Sequence, residues 1–351
     1  MLPEVRSRIG SLLSVPTRSG PLYAHRRCTA YYQQSTPWLC ASVEDAAENT
    51  CASGQDDSPA IRLETAWFGE DTYYNNQLQP QTIAANAGVA DADLVLLVTA
   101  RAVAPCATGG SSSGAGTRAF ASMCQSDPET DRPTFGRTNV CPTELPAPTS
   151  EAGQPIAFSE IETEAWIKTL MHETYHILGL SSTSYSLYRD SETGEPLTAR
   201  SAGVPSNPAA STEVEFSCQG TTVSRSVAST DTITFHQERG MTCTGATDLI
   251  TQGMFSCVQR VIVPPSRDTA RSFFGCTTLP GIELENQDTT SCVIHPSHTE
   301  ARVQRTDLMN AVKLENRAIS AVSLSVLDSS GWYKANYSAA APMLYNRDFG
   351  F

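Results

Sequence analysis

The alternation of apolar and polar positions is clearest between residues 159 and 180, where it predicts an amphipathic helix. Apolar residues recur along one face, at Ile161, Ala165, Leu170, Ile177 and Leu178. Ser159 and Glu162 form a capping-box pair at the predicted start, and Gly179 stands where a glycine cap ends a helix. The last turns of this helix carry the sequence His-Glu-Thr-Tyr-His, residues 172–176.

Apolar runs before this helix predict strands. Residues 92–100, ADLVLLVTA, have no helical spacing and a length typical of a buried central strand. Residues 106–124 are rich in Gly and Ser and predict a mobile connection leading to an edge strand, and residues 132–142 predict a further strand closed by proline. At the N-terminus, residues 10–28 predict two strands joined by a turn, and residues 28–59 predict loops with one short helix.

Beyond the helix, the chain from Ser182 to about Ile262 is rich in Ser, Thr and Gly and has no strong periodicity. This pattern predicts a long, partly irregular insertion. Regular patterns resume near residues 267–276, and a second helix is predicted from about Leu314 to Asp328.

Composition limits the class of protein. The 351 residues are 40% apolar and 17% charged, which is typical of a globular chain. The net charge of −13 argues against a nucleic-acid partner, because phosphates repel an acidic surface. No apolar run is long enough to predict a membrane span. The first residues do not predict a secretion signal, because Glu4, Arg6 and Arg8 interrupt the apolar core that such a signal needs.

Eleven cysteines are dispersed along the chain without any Cys-x-x-Cys pair, which argues against a ribbon-type zinc site or a thioredoxin-like site. Such dispersion predicts structural disulfides and an oxidising compartment, and the alternative is a set of reduced, buried thiols. The odd number leaves one cysteine without a partner in this chain. The eleven are Cys28, Cys40, Cys51, Cys106, Cys124, Cys141, Cys218, Cys243, Cys257, Cys276 and Cys292.

The helical sequence 172–176 has the spacing of a zinc site. Residues four apart share a helix face, so His172 and His176 can reach one metal ion. Glu173 projects about 100° further round the axis and is placed to act as a general base for the attacking water. Catalytic zinc needs three protein ligands. The alternative is that both histidines are merely surface residues.

The third ligand is not local. The sequence HETYHILGLSS matches the start of the metzincin pattern, but Ser182 stands where that pattern usually has its third histidine. Four candidates remain, namely His25, His236, His295 and His298. A glutamate ligand, Glu192 or Glu195, is the weaker alternative, because both lie in a predicted loop.

Three segments, two after the predicted helix and one before it, resemble segments of the leishmanolysin family. The sequence DLMNA, residues 307–311, is similar to the methionine turn of that family, with Asp307 in place of its usual glutamate. Residues 276–287, CTTLPGIELENQ, and residues 121–142 are similar to further family segments. The resemblance implies that His298 is the third zinc ligand and that Met309 underlies the site. His295 remains the local rival, and His25 and His236 are interpreted as solvated or structural.

The resemblance also implies the fold and the activity. We expect an α+β, metzincin-type catalytic domain split by a cleft. Residues 1–180 would hold a mixed sheet and the active-site helix, and residues 181–351 would form a loop-rich, disulfide-bonded part with the insertion, the third histidine and the methionine turn. The expected function is that of a secreted or cell-surface zinc endopeptidase, acting on proteins or peptides. Any membrane anchor would lie outside this chain, as would a pro-segment and a cysteine-rich region.

Two further hypotheses accompany this interpretation. The fold could serve a catalytically inactive, zinc-containing adhesion or binding protein, although all residues that the chemistry needs are present. Asn336 begins an Asn-Tyr-Ser sequon, which makes it a candidate glycosylation site.

Overall fold

The computed structural model describes residues 1–16, 18–51, 60–107, 117–145, 157–208, 212–218, 221–237, 257–285, 297–311, 317–343 and 347. The chain forms two compact units. The N-terminal unit comprises Met1–Arg6, Thr17–Leu178 and Ala202–Pro205, and the C-terminal unit comprises Ser7–Pro16, Gly179–Ser201 and Ser206–Phe351. The predicted division of roles between residues 1–180 and 181–351 stays a prediction.

Helices and strands alternate irregularly, which confirms the α+β class at the level of secondary structure. Up to the end of the long helix the elements are α1 (Leu2–Leu12), β1 (Leu13–Ser14), β2 (Cys28–Tyr32), β3 (Leu39–Val43), β4 (Thr50–Cys51), β5 (Ile61–Arg62), β6 (Asp71–Tyr74), β7 (Pro80–Ile83), β8 (Val95–Thr99), α2 (Ala104–Ala107), β9 (Ala119–Ser126), β10 (Pro133–Val140) and α3 (Glu160–Leu178). After it come β11 (Thr212–Cys218), β12 (Thr221–Val227), β13 (Ile233–Gln237), β14 (Cys257–Val261), α4 (Pro264–Phe274), β15 (Ile282–Glu283), α5 (Ala321–Asp328) and β16 (Lys334–Ala335).

In the described part of the N-terminal unit, the main sheet has three strands in the order β8-β10-β9. Strand β10 pairs in parallel with β8 and antiparallel with β9, and all of its residues are buried. The predicted strand within residues 92–100 is confirmed, but its predicted central position is wrong. Among the described strands it lies at the edge of the sheet, and Val98 is 38% exposed. An apolar run alone could not distinguish these positions, because the neighbours of a strand decide how far it is covered.

Two predictions for the first 59 residues are wrong. Residues 2–12 form a helix, so the first predicted strand is reduced to the two residues of β1. Val5 and Leu12 lie seven positions apart on one helix face and are both buried. Residues 28–51 contain the strands β2 to β4, and β2 and β3 make an antiparallel pair, where loops were predicted; the predicted short helix is not found in this described part of residues 28–59.

A small apolar core holds the N-terminal unit together. Its buried members are Leu22, Ala24, Ala46, Cys51, Leu63, Phe68 and Phe135. Three disulfides lie in the same unit and join Cys28 to Cys40, Cys51 to Cys124 and Cys106 to Cys141. The predicted disulfides are therefore confirmed for these six cysteines.

The C-terminal unit contains more regular structure than the predicted irregular insertion. Strands β11 and β12 form an antiparallel hairpin, and β13, β14 and β15 form a three-stranded antiparallel sheet. The second predicted helix begins later than expected, at Ala321, because the hydroxyl of Ser320 accepts a hydrogen bond from Val322 N and caps it there. None of the described helices is both long and apolar enough to cross a membrane.

Candidate metal centre

Helix α3 begins with the predicted capping box. Both the backbone N and the hydroxyl of Ser159 donate to Glu162 Oε2, at 2.8 and 2.7 Å, and Glu162 N donates back to Ser159 Oγ at 3.2 Å. These bonds to the ionised carboxylate hold the pKa of Glu162 below its usual value. The start of the helix is thereby set by local groups.

The buried face of α3 packs against β9 and β10. It includes Trp166, Leu170 and Ile177, as the apolar pattern predicts. Ile161 is an exception and is 79% exposed, because it lies in the first turn, before the buried part of the helix begins. The sheet therefore supports the half of α3 that carries the two histidines.

His172 and His176 present their ring nitrogens to one another. Their Nε2 atoms are 3.1 Å apart, and the ring planes are nearly perpendicular at 88°. Two nitrogens bound to one zinc ion at about 2.0–2.1 Å and a tetrahedral angle would be about 3.3 Å apart. His172 is buried and His176 is half-buried. Glu173, between them, is 6% exposed.

His298 completes a group of three imidazoles. One ring nitrogen from each of His172, His176 and His298 lies within 4.8 Å of the others. Three neutral imidazoles are a donor set that catalytic zinc accepts. The three histidines chosen from the sequence are thus near one another, and the group could hold a metal ion. Their roles as ligands stay predictions.

The backbone around His298 is tied on both sides. Glu285 N donates to His298 O at 2.8 Å, and Thr299 N donates to Met309 O at 3.0 Å. Met309 is fully buried, as expected of a residue in a methionine turn. The segment that carries the histidine is therefore held between an extended segment and this turn.

Asp307 lies at the centre of that turn, although the sequence marks it only as a replacement for the family's usual glutamate. Its carboxylate is fully buried and accepts hydrogen bonds from Met309 N at 2.8 Å and Thr299 Oγ1 at 3.0 Å. The hydroxyls of Ser320 and Ser323 also donate to it. Burial raises the pKa of this carboxyl above its usual value, although each hydrogen bond acts in the opposite direction. An aspartate whose side chain accepts a hydrogen bond from the backbone N–H two residues later forms a recognisable type of turn.

Gly179 turns the chain immediately after α3. Its φ of +131° lies in a region that favours glycine, and a β-carbon there would come 2.8 Å from Cζ3 of Trp332. The buried Tyr188 hydroxyl lies 3.1 Å from Gly179 O, to which it donates, and 3.2 Å from Val326 O. Burial raises the pKa of Tyr188 well above its usual value, so the hydroxyl remains a donor.

The rival histidines have other surroundings or lie outside the described residues. His25 Nδ1 is 3.5 Å from Asp71 Oδ1, and its backbone exchanges two hydrogen bonds with the side chain of Gln125. His236 lies in β13, where its backbone pairs with Val258, and its side chain is outside the description. His295 also falls outside the described residues.

The remaining candidates lie in turns or on the surface. Glu192 and Glu195 belong to a turn in which Asp190 accepts from Glu192 N at 3.0 Å, and neither is part of the histidine group. Asn336 is exposed, and its Nδ2 donates to Ser11 O at 3.0 Å. Ser338 Oγ, the third residue of the sequon, donates to Asn336 Oδ1 at 2.6 Å. Glycosylation of Asn336 stays a prediction.

Comparisons with known proteins give one consistent result. A family model described as leishmanolysin matches residues 241–350, a range that includes His298 and Met309 but not α3. The leishmanolysin-like peptidases of Drosophila melanogaster and Caenorhabditis elegans are each 26% identical over the whole chain. The ciliated left-right organizer metallopeptidase of Mus musculus is 25% identical over 77% of the chain and 30% of its own length.

The chain spans less than half the length of the two leishmanolysin-like relatives, 46% and 47%. The resemblance to leishmanolysins that the sequence predicts is confirmed by these matches.

Proposed function

We propose that this chain is the catalytic part of a zinc-dependent endopeptidase. The observation that carries the proposal is the group formed by His172, His176 and His298, the first two on a helix whose sequence, with Glu173 between them, has the metallopeptidase spacing. The likeness to leishmanolysin-like peptidases supports the same activity. A metzincin-type arrangement of the fold is part of this proposal.

His172, His176 and His298 would hold one zinc ion through neutral ring nitrogens. Zinc, when bound, supplies a Lewis acid that polarises a scissile carbonyl and lowers the pKa of water. The two helical histidines are pre-arranged, since their Nε2 atoms already face each other at 3.1 Å. Met309 would underlie the group from the turn that follows His298.

Glu173 would be the general base. It lies one residue after His172 on α3, and its burial removes the bulk water that would otherwise solvate its carboxylate. In this role the carboxylate takes a proton from the attacking water and then passes it to the leaving amine. Glutamate suits both steps because it can hold and release one proton without leaving the site.

Proteins or peptides are the proposed substrates, and a secreted or cell-surface location is the proposed setting. Three disulfides among the first six cysteines support an oxidising compartment. A membrane anchor outside this chain is compatible with this setting.

The proposal is tested by measuring zinc and peptidase activity on the same purified sample. We expect about one zinc per chain, hydrolysis of an unstructured protein substrate, loss of hydrolysis on chelation and recovery when zinc is restored. A sample with full zinc and no hydrolysis of any protein substrate would favour the inactive adhesion or binding protein. A sample that binds no zinc would overturn both.

A further inference from the structure

Asp307 links three separate segments of the C-terminal unit. Its Oδ1 accepts from the Thr299 hydroxyl, from the Ser323 hydroxyl and from Met309 N. Its Oδ2 accepts from the Ser320 hydroxyl. The segment that follows His298, the methionine turn and the start of α5 therefore meet at one carboxylate.

A carboxylate at this depth tolerates little displacement. Asp307 is fully buried, and a buried charged or polar group is costly unless its hydrogen bonds are all made. Moving any of the three segments would break at least one of these bonds. Ser320 adds a further constraint, because its hydroxyl also accepts from Val322 N at 3.0 Å and caps α5.

Thr299 connects this carboxylate to the histidine before it. Its side chain donates to Asp307, and its backbone N donates to Met309 O at 3.0 Å. On the other side, His298 O accepts from Glu285 N at 2.8 Å. The peptide group that joins His298 to Thr299 is thus bound from two directions, and Asp307 accepts hydrogen bonds from both Thr299 and Met309, the two residues of one of these contacts.

We propose that Asp307 is a positioning residue that, through the hydroxyl of Thr299, holds His298 in the orientation needed for metal binding. This inference rests on the proposed function, because it takes His298 as a zinc ligand. Groups that orient a metal ligand without touching the metal typically contribute 10- to 100-fold to metal affinity.

Thr299→Val and Ser323→Ala form a matched pair of variants. Each removes one buried hydroxyl that donates to Asp307 Oδ1, but only Thr299 adjoins His298. We expect Thr299→Val to weaken zinc binding by about 10-fold or more, as measured by competition with a chromophoric chelator. Ser323→Ala should lower the melting temperature about as much as Thr299→Val does, but it should leave zinc affinity close to that of the wild type.

Thr299→Ser keeps the hydroxyl and should restore wild-type zinc affinity. If Thr299→Val does not give a folded protein, Thr299→Ala takes its place in the same comparison, because it removes the hydroxyl without adding a methyl group next to the carboxylate. Equal zinc affinity in the folded Thr299 variant and Ser323→Ala would overturn the inference. Failure of the wild type to bind zinc would instead overturn the proposed function, so the two failures are distinguishable.

Discussion

Gly136 of β10 and Ile177 of α3 are in such close contact that no side chain fits between them. A β-carbon on Gly136 would lie 2.9 Å from both Cγ1 and Cδ1 of Ile177, and closer still to Cγ2. Ile177 directly follows His176 in the chain. Because residue 136 is a glycine, the end of α3 that carries the histidines can lie close to the sheet.

Gly136→Ala should displace this end of α3. Overpacking in a buried contact costs typically about 1–3 kcal/mol, and the shift should also weaken zinc binding through His176. Denaturant unfolding and zinc titration measure the two effects. Gly10→Ala is the matched control, because a β-carbon there meets nothing within 4 Å and alanine favours the helix α1. Wild-type stability in Gly136→Ala would contradict the close packing.

Glu173→Gln should keep zinc but lose nearly all peptidase activity. Glutamine preserves the size of the side chain but cannot accept the proton, and general-base catalysis contributes typically 10²- to 10⁴-fold. Metal content and turnover are measured on the same sample. Glu160→Gln, an exposed change on the same helix, is the control and should retain activity. Substantial turnover by Glu173→Gln at full zinc occupancy would show that another group is the base.

His298→Ala should lower zinc affinity sharply, whereas His295→Ala should leave zinc and activity close to wild type. Two histidines on one helix bind zinc weakly without a third ligand, so the effect should exceed the roughly 10- to 100-fold typical of groups that only orient a ligand. Metal analysis of both variants after dialysis decides between them. The opposite result would make His295 the ligand. The methionine turn at Met309 would then no longer identify the third histidine.

The six cysteines of the N-terminal unit should be oxidised in three pairs. Thiol counting in denaturant without reduction should leave them unreactive, and peptide mapping should recover Cys28 with Cys40, Cys51 with Cys124 and Cys106 with Cys141. Eleven reactive thiols before reduction would refute the disulfides and, with them, the extracellular proposal.

Ser159→Ala should destabilise α3 by about 1 kcal/mol, the usual contribution of an N-cap hydroxyl. The hydrogen bonds lower the pKa of Glu162 in the folded protein, so their contribution is present above its unfolded value of about 4.5 and disappears as the pH falls through the folded value. The difference in stability between wild type and Ser159→Ala should therefore shrink on acidification. Urea unfolding at neutral and acidic pH measures it, and a difference that grows in acid would contradict this assignment.

Sequence alone determined the features that depend on near neighbours. The capping box at Ser159, the extent of α3 and the shared face of His172 and His176 all arise from groups within one or two helical turns. The strand β10 was also predictable, because its length and its closing proline are local properties. Such features need no knowledge of what packs against them.

Other expectations were wrong where distant neighbours decide the outcome. The exposed fraction of Val98 is the example, because it depends on which segments cover β8. An apolar pattern reports that a face can be buried, but it does not report what buries it.

The surroundings of the third histidine belong entirely to the tertiary structure. His298 follows His176 by 121 intervening residues, and its choice from sequence depended on a resemblance rather than on periodicity. Asp307 appeared in the sequence only as a small departure from a family pattern. Its importance emerges when Thr299, Met309 and the start of α5 converge on one buried carboxylate. Burial makes each of these hydrogen bonds costly to lose, and only the folded chain determines which groups are buried together.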